Sequence, residues 1–137
     1  MFDVVRKVAY FALEVPNKPG TGARVLGALA EAGVNLLAFS GFPRGRKAQL
    51  DIVPEDVEVF KKAAKTANLK TRTQKFGFLV QGNDRKGVIA ELLKILAEKE
   101  INITAIDAVA AGEGRYAAIF WVQSRDVNKT MKALGAI

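Results

Sequence analysis

Apolar residues recur along this chain in two alternating rhythms. Runs rich in β-branched and aromatic residues cover Val8 to Val15 and Lys75 to Gln81 and read as strands. A polar turn follows each, Pro16-Asn17-Lys18-Pro19-Gly20 in the first case and Gly82-Asn83-Asp84-Arg85-Lys86-Gly87 in the second. Helical spacing then takes over, in Val25, Leu26, Leu29 and Ala32 and again in Leu92, Leu93, Leu96 and Lys99. Gly33 stands where the first helix would end in a left-handed residue. The second stretch has Glu100 there, so another stop is expected. New strands run from Val34 to Phe42 and from Ile101 to Val109. They turn at Pro43-Arg44-Gly45-Arg46 and Ala111-Gly112-Glu113-Gly114 and return through Leu50-Asp51-Ile52-Val53 and Ala117 to Val122. Second helices begin near Pro54-Glu55-Asp56 and Ser124-Arg125-Asp126, with acids in their first turns.

These stretches are copies. Shifted by 67 residues, Gly20 to Phe39 falls on Gly87 to Ile106 with eight identities in 20 positions, among them Gly20/Gly87, Leu29/Leu96 and Asn35/Asn102. The order in each copy is strand, helix, strand, strand, helix, strand. That order predicts an α+β chain of two ferredoxin-like βαββαβ units, each an antiparallel sheet with both helices on one face. The first unit is expected over residues 8–74 and the second over 75–137. A final strand near Leu69 to Gln74 runs into the first strand of unit two, which lacks such a strand of its own. The same shift carries residues 68–74 onto 1–7. Residues 1–7 are therefore expected to complete unit two and pair with 75–82, while 8–15 pair with 68–74. The second strand is the remaining free edge of each unit. Both edges are apolar, with Leu36, Leu37, Phe39 and Phe42 in one and Ile103, Ile106 and Val109 in the other. Exposed apolar edges seek pairing, so a homodimer is expected.

Composition narrows the chemistry. The 137 residues contain neither cysteine nor histidine. Disulfides, thiolate nucleophiles and cysteine zinc sites are excluded, and the commonest general base and transition-metal ligand are missing. Carboxylates such as Asp3, Asp51, Asp84 and Asp107 stand singly, mostly at turns. No catalytic residue, metal or cofactor is expected. No apolar run approaches the roughly 18 residues of a membrane span, and the N-terminus lacks the order of a signal peptide. The expected compartment is the cytoplasm, with no membrane partner. Five of the seven excess positive charges lie between Arg44 and Lys75, as a solvated face or an anion-binding surface.

The turn-and-helix segments carry a family likeness. Asn17-Lys18-Pro19-Gly20 with Ala23, Leu26, Leu29 and Gly33-Val34-Asn35-Leu36 resembles the ACT domain, and so does Asn83-Asp84-Arg85-Lys86-Gly87-Val88 with Glu100-Ile101-Asn102-Ile103. The chain departs from the family at Lys86, where proline is usual, and no enzyme domain is expected beside the two repeats. The resemblance implies a non-catalytic regulatory protein of amino-acid metabolism. It also implies that a free amino acid or close relative binds where the loop of one unit meets the second strand of another. The residues implied are Asn17, Lys18, Pro19, Gly20, Thr21, Asn35 and Leu36, and in the second copy Asp84, Arg85, Lys86, Gly87, Val88, Asn102 and Ile103. The chemistry fits. Each loop enters a helix N-terminus, which favours an anion such as an α-carboxylate. Gly20 and Gly87 let a ligand approach the backbone. Asn35 and Asn102 offer both donor and acceptor to a zwitterion. Asn17 and Asp84 are also read as helix caps.

A nucleic-acid reading competes. Lys75-Phe76-Gly77-Phe78-Leu79-Val80 looks like part of an RNA-recognition motif whose aromatics stack bases. That motif belongs on a third strand, whereas this segment is the first strand of its unit. Phe78 matches Phe11 in the repeat, so both are expected in the core. Gly20-Thr21-Gly22 and Gly27 lack the glycine spacing of a dinucleotide loop. Phe120 and Trp121 are strand neighbours, so one of them is expected to point away from the helices, toward an exposed patch.

Overall fold

The computed structural model of the protein describes residues 4–137. In chain order its elements are β1 (Val4–Pro16), α1 (Thr21–Glu31), β2 (Leu36–Arg44), β3 (Lys47–Pro54), α2 (Val57–Thr66), β4 (Lys75–Asn83), α3 (Val88–Glu98), β5 (Ile103–Gly112), β6 (Arg115–Val122) and α4 (Val127–Leu134). A short 3-10 turn, Ser124–Asp126, leads into α4. The 67-residue offset is kept closely: α1 and α3 start at Thr21 and Val88, and β2 and β5 at Leu36 and Ile103. The chain divides into two compact units, one of Ala9–Lys75 and the other of residues 4–8 with Phe76–Ile137.

In the first unit β3 lies between β1 and β2, antiparallel to both, with Phe11 opposite Ile52 and Phe39 opposite Ile52 on the other side. Alternate residues Phe11, Leu13 and Val15 of β1, with Leu50 and Ile52 of β3, face Val25 and Leu29 of α1 and Phe60, Ala63 and Ala64 of α2. This is the period-2 pattern of a sheet meeting the 3.6-residue stripe of helices. Both helices share one core and therefore one face of the sheet. Phe11 and Phe60 stack at 4.7 Å. Asp56 caps α2, its side chain accepting from the N–H groups of Glu58 and Val59 at 3.0 and 3.1 Å.

The second unit repeats the plan. β6 lies between β4 and β5, with Phe78 opposite Phe120 and Ile106 opposite Phe120. Phe78, Val80, Phe120 and Val122 face Leu92 and Leu96 of α3, and Thr130 is fully buried on α4. Phe78 and Phe120 stack at 5.3 Å. Val5 belongs to this core. Lys7 N–H donates to Ile137 O at 2.8 Å and Ile137 N–H to Val5 O at 3.0 Å. Of the segment 1–7, residues 1–3 lie outside the described residues.

Several sequence expectations change. The segment near Leu69 to Gln74 is not a regular strand, because β4 begins only at Lys75. It is tied to β1 by Arg72, whose N–H donates to Ala12 O at 2.8 Å and whose guanidinium pairs with Glu14. Trp121 does not form an exposed patch; it is buried, and lies so close to Gly77 that a Cβ there would meet the indole and Phe120 O at 3.1 Å. No separate stop replaces the missing glycine at Glu100. Glu100 itself takes the left-handed conformation, φ 58°, as Gly33 does at φ 86°. Both helices close alike, with Ile101 N–H donating to Leu96 O at 2.9 Å and Val34 N–H to Leu29 O at 3.0 Å. An L-residue in this conformation costs about 1–2 kcal/mol, partly offset by the chain entropy a glycine would lose, about 0.5–1 kcal/mol. Glu100→Gly is therefore expected to stabilise the protein by about 0.5–1 kcal/mol in urea unfolding. A loss of stability would show that the Glu100 side chain matters more than its backbone.

Candidate functional site

The loop between β1 and α1 and its copy between β4 and α3 are built from the same hydrogen bonds. Asn17 N–H donates to Arg46 O at 3.0 Å, and Asp84 N–H to Gly114 O at 2.8 Å, so each loop is tied to the hairpin turn of its own unit. Thr21 N–H reaches Lys18 O and Val88 N–H reaches Arg85 O, both at 3.3 Å. Neither Asn17 nor Asp84 is the helix cap. The N-cap residues are Gly20 and Gly87, with φ 85° and 80° and no side-chain hydrogen bond. Only glycine takes this conformation without strain. First-turn N–H groups have no intrahelical partner, and here no cap side chain takes them. Thr21 and Val88 are buried beneath the loops, while residues 17–20 and 84–87 are exposed.

The two loops differ in charge. Arg85 pairs with Glu91 in the first turn of α3, and this hydrogen bond holds the Glu91 carboxyl below the ordinary carboxylate range. Loop one has Lys18 and Arg24 at the matching positions and no acid in the first turn of α1. They differ in shape as well. In unit two a pocket of about 180 Å³ lies between loop, helix and sheet, lined by Asp84, Val88, Ile89, Tyr116 and residues 108–110. One water molecule takes about 30 Å³ of the liquid, so the pocket has the size of a small solute. Unit one has Gly41, Phe42 and Pro43 at the positions of residues 108–110.

The asparagines stand elsewhere. Asn35 and Asn102 are exposed and follow the C-terminal ends of α1 and α3. Each helix has 11 residues, about 16 Å at 1.5 Å per residue, so loop and asparagine lie at opposite ends of a helix within one unit. Leu36 and Ile103 beside them are half-buried and open β2 and β5. Asn35 O accepts from Glu55 N–H at 2.8 Å, and its side-chain amide donates to Glu55 Oε2 at 3.3 Å. The free edges β2 and β5 carry exposed Phe39, Phe42 and Val109, the last at 62 % exposure. The sequence had not singled out residues 108–110 and Tyr116 as pocket walls. Only their place three-dimensionally beside Asp84 and Val88 identifies them.

The rival aromatic motif is not available for stacking: Phe78 is fully buried, and Phe76, although exposed, has the Lys7 ammonium over its ring at 4.6 Å. Among the described residues no group of three or more carboxylates is placed to hold a metal ion. No helix among them is long and apolar enough to cross a membrane.

Each unit thus joins a left-handed glycine cap at an open helix N-terminus to the same strand-helix-strand-strand-helix order. Residues 10–68, the greater part of the first unit, match the ACT domain family model. No curated protein sequence matches it. Among solved structures, a protein from Bacteroides thetaiotaomicron superposes with a TM-score of 0.78 at 20% identity, over 96% of this chain and 88% of the other. The ligand-free regulatory subunit of aspartate kinase from Thermus thermophilus gives 0.67 at 21% identity, over 98% and 96%. The corresponding subunit from Thermus flavus gives 0.58 at 18% identity, over 98% and 96%. These likenesses extend the same fold over nearly the whole chain.

Proposed function

We propose that this protein is a non-catalytic regulatory module that binds a free amino acid, or a close relative, at its two β-to-α loops. The observation that carries the reading is the doubled glycine cap, which leaves an uncapped helix N-terminus behind an exposed loop in both units. The α-carboxylate would sit on the first-turn N–H groups, where partial positive charge gathers. Asn35 or Asn102 would take the ammonium. Loop and asparagine lie at opposite ends of a helix, so this asparagine comes from a second unit brought edge to edge through β2 or β5. A homodimer through these apolar edges supplies that unit. The regulatory-subunit relatives support the regulatory part of the reading.

The test is thermal unfolding of the full chain against each of the twenty amino acids. A ligand at about 100 times its dissociation constant adds roughly 2.7 kcal/mol. At least one amino acid is expected to raise the melting temperature, and Asn35→Ala with Asn102→Ala to remove the rise. No response at millimolar concentration from any of the twenty contradicts the reading.

A further inference from the structure

The first unit has a cavity of its own, which shares no lining residue with its β1-to-α1 loop. It has a volume of about 400 Å³ and is lined by Phe60, Lys61, Ala64, Lys65, Asn68, Leu69 and Thr71. Its floor is apolar, since Phe60 and Ala64 are buried core residues. Its rim is cationic. Lys61 and Lys65 lie four residues apart, hence on one face of α2, and among the described residues neither has a carboxylate partner. They belong to the segment that holds five of the seven excess positive charges of the chain. The end of α2 carries about half a negative charge from its carbonyls, which two full ammonium charges outweigh. Asn68 and Thr71 add hydrogen-bonding groups beside them.

The second unit shows how this space could have been filled. Leu69 N–H closes α2 on Ala64 O at 2.8 Å around left-handed Asn68, and Ala136 N–H closes α4 on Met131 O at 2.9 Å around left-handed Gly135. Ala64 therefore corresponds to Met131, and Lys61 to Asn128. Met131 packs onto the core of its unit. In the first unit a methyl replaces that long side chain, and Lys61 adds a cation where the other copy has Asn128, while Lys65 has its counterpart in Lys132.

We infer that this cavity at the end of α2 binds a small amphiphilic anion: an apolar, ring-sized body carrying a carboxylate or phosphate. The body rests on Phe60, Ala64 and Leu69, and the head lies between Lys61 and Lys65. The volume is within the range of about 300–1,000 Å³ usual for small-molecule pockets. This site is separate from the β-to-α loops and stands whether or not they bind an amino acid.

Calorimetric titration of the full chain with phenyl phosphate, 3-phenylpropanoate, inorganic phosphate and 2-phenylethanol tests it. At least one of the two amphiphilic anions is expected to bind, and which of them does identifies the head group. Inorganic phosphate and the alcohol, lacking one half each, are expected to bind about tenfold more weakly or worse. Ala64→Met, which borrows the residue of the other unit, should abolish binding. The exposed Lys61→Asn, which leaves packing untouched, should weaken it about tenfold. Both variants should keep any thermal response to amino acids, which separates this site from the loops. Absence of binding by both amphiphilic anions at millimolar concentration, equal binding of inorganic phosphate, or unchanged binding in Lys61→Asn would overturn the inference.

Discussion

Phe78→Ala is expected to lose about 3–5 kcal/mol of stability in denaturant unfolding, the usual cost of truncating a buried aromatic. Phe78 is fully buried, stacks on Phe120 at 5.3 Å and faces Leu92 and Leu96. The two rings add roughly 0.5–1.5 kcal/mol beyond area burial. Folded domains have only about 5–15 kcal/mol in total, so the variant should be near the limit of folding. Phe76→Ala makes the control, because Phe76 is exposed on the same strand. It is expected to change stability little. If Phe78→Ala were as stable as the wild type and lost retention of single-stranded RNA instead, the ring would be a stacking platform and the core assignment would fail.

The second large effect concerns assembly. Phe42→Lys together with Val109→Lys is expected to convert a dimer into a monomer at micromolar concentration, as read by light scattering. Both residues are exposed on edge strands, at 41 % and 62 %. An edge strand offers unpaired N–H and C=O groups, and lysine is the residue that commonly blocks such pairing. Neither side chain is in a core, so the melting of the separate units should be little changed. A wild-type protein that is monomeric with and without amino acids contradicts the shared-site reading, since each loop would then lack its asparagine.

The element order and the repeat were legible because the same apolar pattern recurs at one offset. Val25 and Leu29 match Leu92 and Leu96, and all four are core residues. The loop details were not. Asn17 and Asp84 have the side chains of helix caps, yet their N–H groups are drawn to Arg46 O and Gly114 O, and the cap passes three residues on to Gly20 and Gly87. That bond joins residues about thirty positions apart, which local propensity does not register. Glu100 misled for a similar reason: the hydrogen bond from Ile101 to Leu96 closes the helix and overrides a left-handed cost of about 1–2 kcal/mol. The segment after α2 has strand-forming threonines but is held at Arg72 through Ala12 O and Glu14, not by a regular ladder. Within the candidate site, the glycines and the charged loop residues could be read from the motif. The separation of Asn35 and Asn102 from them follows from helix length and becomes evident only when α1 and α3 have their bounds.

The central claim is that an amino acid sits on the helix N-termini behind Gly20 and Gly87. Backbone amide NMR of the full chain, titrated with the amino acid that most raises the melting temperature, tests it most directly. The account predicts the largest shifts at the N–H groups of Gly22 and Ala23, of Ile89 and Ala90, or of both pairs, accompanied by the side-chain amides of Asn35 or Asn102. Saturable shifts confined to other residues, with these amides unmoved, would contradict it.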